Sequence, residues 1–199
     1  SAVLVDGGVT EEAQDNGDLV ARASAAARVL AVTDARENFL SFVKLMMPHP
    51  DNAEDITRSR YEAIIHHKLI AQALEKVDKG EYLRLIINLP PRHGKSLLAS
   101  RMFPAWYLGR NPYRSMISAT YNDEFAQDFG RDVREIVKST IYRQVFPTCQ
   151  LRKGSQAADR LQTTEGGLAV FVGRGGSLTG RGADGLFIDD PIKDQMEAD

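Results

Sequence analysis

The sequence predicts an α/β fold: a mostly parallel sheet flanked by helices, preceded by an N-terminal helical segment. Three observations predict it. Short apolar, β-branched runs alternate with amphipathic helical patterns through the second half of the chain. The strongest of these runs, Leu83-Arg84-Leu85-Ile86-Ile87-Asn88-Leu89, leads straight into a glycine-containing turn and a new helical pattern. Finally, the two polar motifs richest in chemistry both fall where predicted strands end, and parallel sheets bind their ligands beyond those carboxyl ends.

Taken in order, residues 1–18 are polar and contain glycine, which reads as a mobile arm. Asp18 is a candidate cap for a helix over 19–32, with Leu19, Ala23, Ala26, Ala27 and Leu30 along one face. The run 37–47 is apolar nearly all round and reads as a buried helix, stopped by Pro48-His49-Pro50. A further helix is expected over 58–78, where Tyr61, Ile65, Leu69 and Ala73 recur every four residues and Gly80 supplies the stop. These elements divide the chain into an arm and short helix (1–38), a helical segment (39–81) and an α/β core (82–199). Within the core, 82–89 is the first strand, and a helix begins at Lys95 with Leu97, Leu98 and Met102. Pro104 predicts a kink or an end near 101–103. A strand over 115–119 follows. Thr120-x-x-Asp123 then resembles a helix start, ahead of an amphipathic helix bearing Phe125, Phe129, Val133, Ile136 and Val137. Runs 161–164 and 168–172 form a hairpin across Glu165-Gly166-Gly167, and Gly185-Leu186-Phe187-Ile188 is a last core strand ending at Asp189-Asp190. Trp106 and Tyr107 are expected to pack behind the sheet.

Composition sets the outer bounds. With 199 residues, 43% of them hydrophobic, the chain can bury a real core. No apolar stretch approaches a membrane span, and the N-terminus lacks the pattern of a secretory signal. The single cysteine, Cys149, excludes an internal disulfide and reads as a small apolar packing residue. The net charge of −2 conceals a division. Residues 1–81 carry nine basic and fourteen acidic groups, whereas 92–181 carry fourteen basic and seven acidic. A basic middle suits a polyanion, either a nucleotide or a nucleic acid.

The turn itself is Pro90-Pro91-Arg92-His93-Gly94-Lys95-Ser96. A buried strand, a tight turn and Lys-Ser opening a helix is how a phosphate-binding loop is built. Gly94 permits close backbone approach, Lys95 can reach the outer phosphates, and the Ser96 hydroxyl can ligate magnesium. Pro91, Arg92 and His93 complete the loop. Leu89 stands where such loops carry a first glycine, so the two prolines are expected to set the turn by restricting φ. The implied fold is a P-loop NTPase of the RecA-like (ASCE) type, and the implied ligands are ATP and Mg2+.

Leu186-Phe187-Ile188-Asp189-Asp190 has the form of a Walker B strand, which delivers a carboxylate toward the nucleotide's metal. Asp189 is the candidate metal holder, and Asp190 the group that orients attacking water. Arg92, with Lys95, is the nearest cationic group for charge developing on the phosphoryl oxygens. Arg174 and Arg181 are candidates for completing a neighbouring subunit's site, because they lie in a stretch holding half of the sixteen glycines. His66 and His67 read as packing or surface residues, near the base of a nucleotide at most.

These residues resemble a known family. The loop at 90–96 followed by Phe103-Pro104-Ala105-Trp106, and Gly175-Gly176-Ser177-Leu178-Thr179-Gly180-Arg181-Gly182-Ala183-Asp184 running into Ile188-Asp189-Asp190-Pro191-Ile192-Lys193, look like the ATPase region of the large terminase subunits of tailed bacteriophages and prophages. The resemblance covers about 58–194. It implies an ATP-driven motor that moves double-stranded DNA into a procapsid. The motor would work in the host cytoplasm and transiently at the portal, as a homo-oligomeric ring, with the portal protein and the small terminase subunit as partners and no membrane. By the family pattern Lys95 and Ser96 contact phosphates and magnesium, Asp189 holds the metal and Asp190 takes the catalytic position, where many relatives carry the longer Glu. The family's nuclease domain follows its ATPase. This sequence stops nine residues after Asp190, so the expectation is an ATPase-region fragment with an incomplete sheet that does not cut DNA. Two alternatives stand beside the motor: another P-loop nucleic-acid ATPase such as a helicase, and a nucleotide-binding docking module without turnover.

Overall fold

The computed structural model describes residues 11–52, 55–154, 157–176 and 182–191, and for 11–15 the backbone only. Helix α1 (Glu11–Glu37) is longer than the sequence pattern suggested. The alanine-rich stretch favours helix strongly enough to carry the turns before it, so 11–18 are helical and not an arm; residues 1–10 lie outside the described part. Asp18 sits inside this helix and pairs with Arg22 one turn on, at 3.0 Å, instead of capping. The expected face is not buried: Leu19 and Leu30 are exposed, and burial starts at Val32 and Ala35. Among the described residues the last turns of α1 are the ones held from outside the helix: Arg36 donates to the Val145 carbonyl at 2.6 Å and Arg28 to Gln144 at 3.0 Å.

Asn38 separates α1 from α2 (Phe39–Leu45), its side chain accepting from the Ser41 amide at 2.9 Å. Phe39, Phe42, Val43 and Leu45 are buried, as an all-round apolar helix requires. Helix α3 (Ile65–Asp78) starts seven residues later than expected. The backbone of 58–60 is engaged elsewhere: the His49 amide donates to the Arg58 carbonyl at 2.9 Å and the Arg60 amide to Met47 at 3.0 Å. Those groups therefore cannot join a helical ladder. The buried face of α3 is Ile70, Ala71, Leu74 and Asp78, so the Ile65–Leu69–Ala73 row is not the core face; Ile65 and Leu69 point outward. The helix stops at Gly80 (φ +75°), whose amide donates to Val77 while that of Glu81 reaches back to Lys76.

Residues 82–89 have no regular secondary structure, and Leu85, Ile87 and Leu89 pack on the core while Ile86 is 93% exposed. They form no ladder among the described residues, so the expected first strand is not a sheet member here. The helix after the loop runs from Lys95 to Arg110 without ending. Its middle, Leu97–Met102, is a π-helical turn, and its last part is α4 (Phe103–Arg110). Pro104 has no amide to donate and would crowd the Ser100 carbonyl in a regular α-turn. The wider turn, in which the Phe103 amide bonds to Leu98, removes the conflict and replaces the predicted break.

The sheet has four strands in the order β2-β3-β1-β4: β1 (Ser115–Thr120), β2 (Arg160–Gln162), β3 (Leu168–Gly173) and β4 (Gly185–Asp189). β1 is parallel to β3 and β4, and β2 is antiparallel to β3 across the expected hairpin. Helix α5 (Asp123–Lys138) covers one face with Ala126, Phe129, Val133 and Val137. Its cap is Asn122, whose side chain accepts from the Phe125 amide at 2.9 Å, and not Thr120. Helix α6 (Thr140–Val145) closes against α1, and Cys149 is buried beside the Tyr142 hydroxyl. Trp106 is fully buried against Phe39 and Phe103, while Tyr107 stacks edge-on to Phe187 of β4. No helix among the described residues is long and apolar enough to cross a membrane.

Candidate active site

Among the described residues only two non-glycines have positive φ, Arg92 (+64°) and Asp190 (+44°). One lies in the loop and the other just after β4. Left-handed backbone at such residues costs about 1–3 kcal/mol and concentrates at functional positions. The loop's sharp turn is thus made by Arg92 and by Gly94 (φ +79°), not by the φ restriction of Pro90 and Pro91 alone. His93 closes it locally, its Nδ1 donating to the Pro91 carbonyl at 2.8 Å.

Helix α3 supports the loop from below. His66 Nε2 donates to the His93 carbonyl at 3.3 Å, and the His67 ring packs under Gly94. A Cβ at Gly94 would lie 3.0 Å from His67 Nε2. Both histidines are therefore supports of the loop. Gly94→Ala is expected to distort it twice over, through the left-handed φ and through this contact. On the sequence expectation of a nucleotide ligand, the predicted outcome is ATP-analogue binding at least tenfold weaker than wild type with melting temperature nearly unchanged, read by analogue titration and calorimetry.

On the opposite wall, β4 is fixed by Phe187, whose ring meets Phe103 and Tyr107 with centroids 5.5 and 5.8 Å away. That packing brings the end of β4 to the start of the helix after the loop. Lys95 Nζ lies 2.5 Å from Asp190 Oδ1 and 3.3 Å from Asp189 Oδ1. The carboxylates differ in setting: the Asp189 side chain is 10% exposed and that of Asp190 is 66% exposed. Ser100 donates to the other oxygen of Asp189 at 2.6 Å. Burial draws the Lys95 pKa downward, but the hydrogen bond to Asp190 and the charge of Asp189 outweigh it, and the net shift is upward. Lys95 is a firm cation here.

Of the sequence-predicted site residues, the fold gathers Pro91, Arg92, His93, Gly94, Lys95, Ser96, Asp189 and Asp190 at one edge. Ser96 is half-buried in the first helical turn. Arg92 is exposed in the loop. Gly173 and Asp189 flank the same β1 residue, Thr120, on either side, so Arg174 emerges at the same end of the sheet, two strands from Asp189. Arg181 lies outside the described residues. Sequence reasoning missed Ser100. Its signal was present, because Ser96 and Ser100 stand one helical turn apart and share a face.

A model of the family described as terminase large subunit, T4likevirus-type, N-terminal, matches residues 86–199, more than half of the chain. Curated proteins and solved structures gave no match.

Proposed function

This chain belongs to the large terminase subunits, a family of viral packaging motors, and on that premise we propose that it carries the motor's ATPase centre. The carrying observation is the convergence of loop and strand end, with Lys95 Nζ within 3.3 Å of both Asp189 and Asp190. A phosphate-binding loop opposite a strand-end carboxylate pair is what ATP hydrolysis on a P-loop NTPase core requires. The donor set also suits magnesium. Among the described residues no three His, Cys, Asp or Glu side chains cluster into a metal cage. Magnesium does not need one, since it takes one or two carboxylates, waters and the substrate's own phosphates. Asp189 and Ser96 would hold it, and bound there it would neutralise charge on the phosphate oxygens.

The residues then divide the work. Backbone amides from His93 to Ser96 and the positive helix end receive phosphates. Lys95 moves from the aspartates to the outer phosphates, and Asp190, exposed beside them, orients the attacking water. Arg92 supplies further positive charge from the loop tip. Arg174, at the same end of the sheet, and Arg181 are the candidates for reaching a neighbouring subunit in a ring. The basic middle of the chain, 92–181, is the proposed contact to double-stranded DNA, with the portal and small subunit as partners in the host cytoplasm.

The test is equilibrium binding of a fluorescent ATP analogue with and without magnesium, together with phosphate release from ATP. Magnesium-dependent binding and slow basal hydrolysis are expected. Analogue binding that is absent at millimolar nucleotide, or indifferent to magnesium, would overturn the proposal.

A further inference from the structure

We propose that Ser100 is a positioning residue that fixes the orientation of the Asp189 carboxylate. The inference rests on the ATPase reading and adds to it a residue outside the loop and the aspartate pair. Ser100 is 3% exposed and Asp189 8% exposed, so their contact is screened from water. Its hydroxyl donates to Asp189 Oδ2 at 2.6 Å, within the range for O–H donors on an ionised carboxylate. The other oxygen, Oδ1, faces Lys95. The two oxygens are thereby given different jobs, one tied inward and one presented to the site.

The backbone holds Ser100 to this task. It lies within the π-helical turn Leu97–Met102, and its carbonyl is the one that Pro104 would crowd in a regular α-helix. The π-turn is thus the local feature that accommodates the proline while Ser100 faces β4. With Ser96 one turn earlier, a single helix face offers one hydroxyl to a metal and another to the metal's carboxylate. Groups that hydrogen-bond a ligating carboxylate set its direction, and losing one typically weakens metal affinity by about 10–100-fold.

The experiment measures binding, not turnover. Fluorescent ATP-analogue binding is titrated with magnesium in the wild type, Ser100→Ala and Ser100→Cys. Half-saturating magnesium is expected to rise about tenfold or more in Ser100→Ala, while analogue affinity without magnesium stays at the wild-type value. Cysteine, a weak donor of similar size, should fall on the same side and serves if the alanine variant does not fold. Equal half-saturating magnesium in the wild type and in a folded variant overturns the positioning role while leaving the ATPase reading intact. Magnesium-independent binding in the wild type overturns both.

Discussion

Lys95→Ala is expected to lower ATP turnover by about 10³-fold without unfolding the protein. Among the described residues Lys95 is the one side chain bonded to both Asp189 and Asp190, and the proposed reaction needs its charge on the outer phosphates. Removing a positioned charge-stabilising group from such a centre typically costs about 10²–10³ in rate. A second loss adds to it, because without the ammonium the two carboxylates face each other uncompensated and repel an incoming triphosphate. The fold should survive, since Asp190 is largely exposed and surface pairs contribute little to stability. Asp190→Asn is the complementary variant: it keeps the hydrogen-bonding shape, removes the charge that orients water, and should bind nucleotide while failing to turn it over. Phosphate release and analogue binding, measured on the same preparations, separate these effects. Equal residual turnover in wild type and both variants would reject an enzymatic role.

The site was more legible in the sequence than the helices that support it, and the reason is physical. The turn at 90–96 is a short-range device: seven consecutive residues make it, and Gly94-Lys95-Ser96 marks it locally. The Asp189-Asp190 pair is equally local, closing an apolar strand. Helix faces are not local. The Ile65–Leu69–Ala73 row has helical spacing as good as that of Ile70, Ala71 and Leu74, and only the position of the core decides between them. The same holds for α1, whose apolar stripe lacks a neighbour until Val32. The run 82–89 shows a third kind of limit. Its composition is that of a strand and its odd positions pack inward from Leu85, yet a ladder needs a partner at hydrogen-bonding distance. Tyr82 and Leu83 line a cavity of about 260 Å³ together with Leu186 and Phe187 of β4, yet among the described residues no ladder joins the two segments. Ser100 went unread although it stands one helical turn after Ser96, because that spacing gives the shared face and only the fold gives the carboxylate it meets.

Arg110→Ala should be the most destabilising substitution among the exposed or half-buried charges, by about 3–5 kcal/mol. At the end of α4, Arg110 joins three elements. It donates to Asp78 of α3 at 2.7 Å, to Glu37 and the Arg36 carbonyl of α1 at 2.8 Å, and lies 4.9 Å over the Trp106 ring. The Asp78 side chain is 3% exposed, so truncating Arg110 strands a buried carboxylate with only the Asn111 amide, 2.8 Å away, to hold it. For a chain of this size that corresponds to a fall in melting temperature of roughly 10 °C. Arg110→Lys should recover little of it, because an ammonium lacks the planar five-donor fork that reaches Asp78, Glu37 and the Arg36 carbonyl together and cannot stack flat on indole. The paired change Asp78→Asn with Arg110→Met separates the two contributions. If the cost comes from the orphaned charge, the double variant should be more stable than Arg110→Ala despite losing both partners. Since this network lies among the helix ends remote from Lys95, turnover per folded molecule at low temperature should match the wild type. A variant that melts normally but turns over slowly would mean that the helical layer acts on the active site directly.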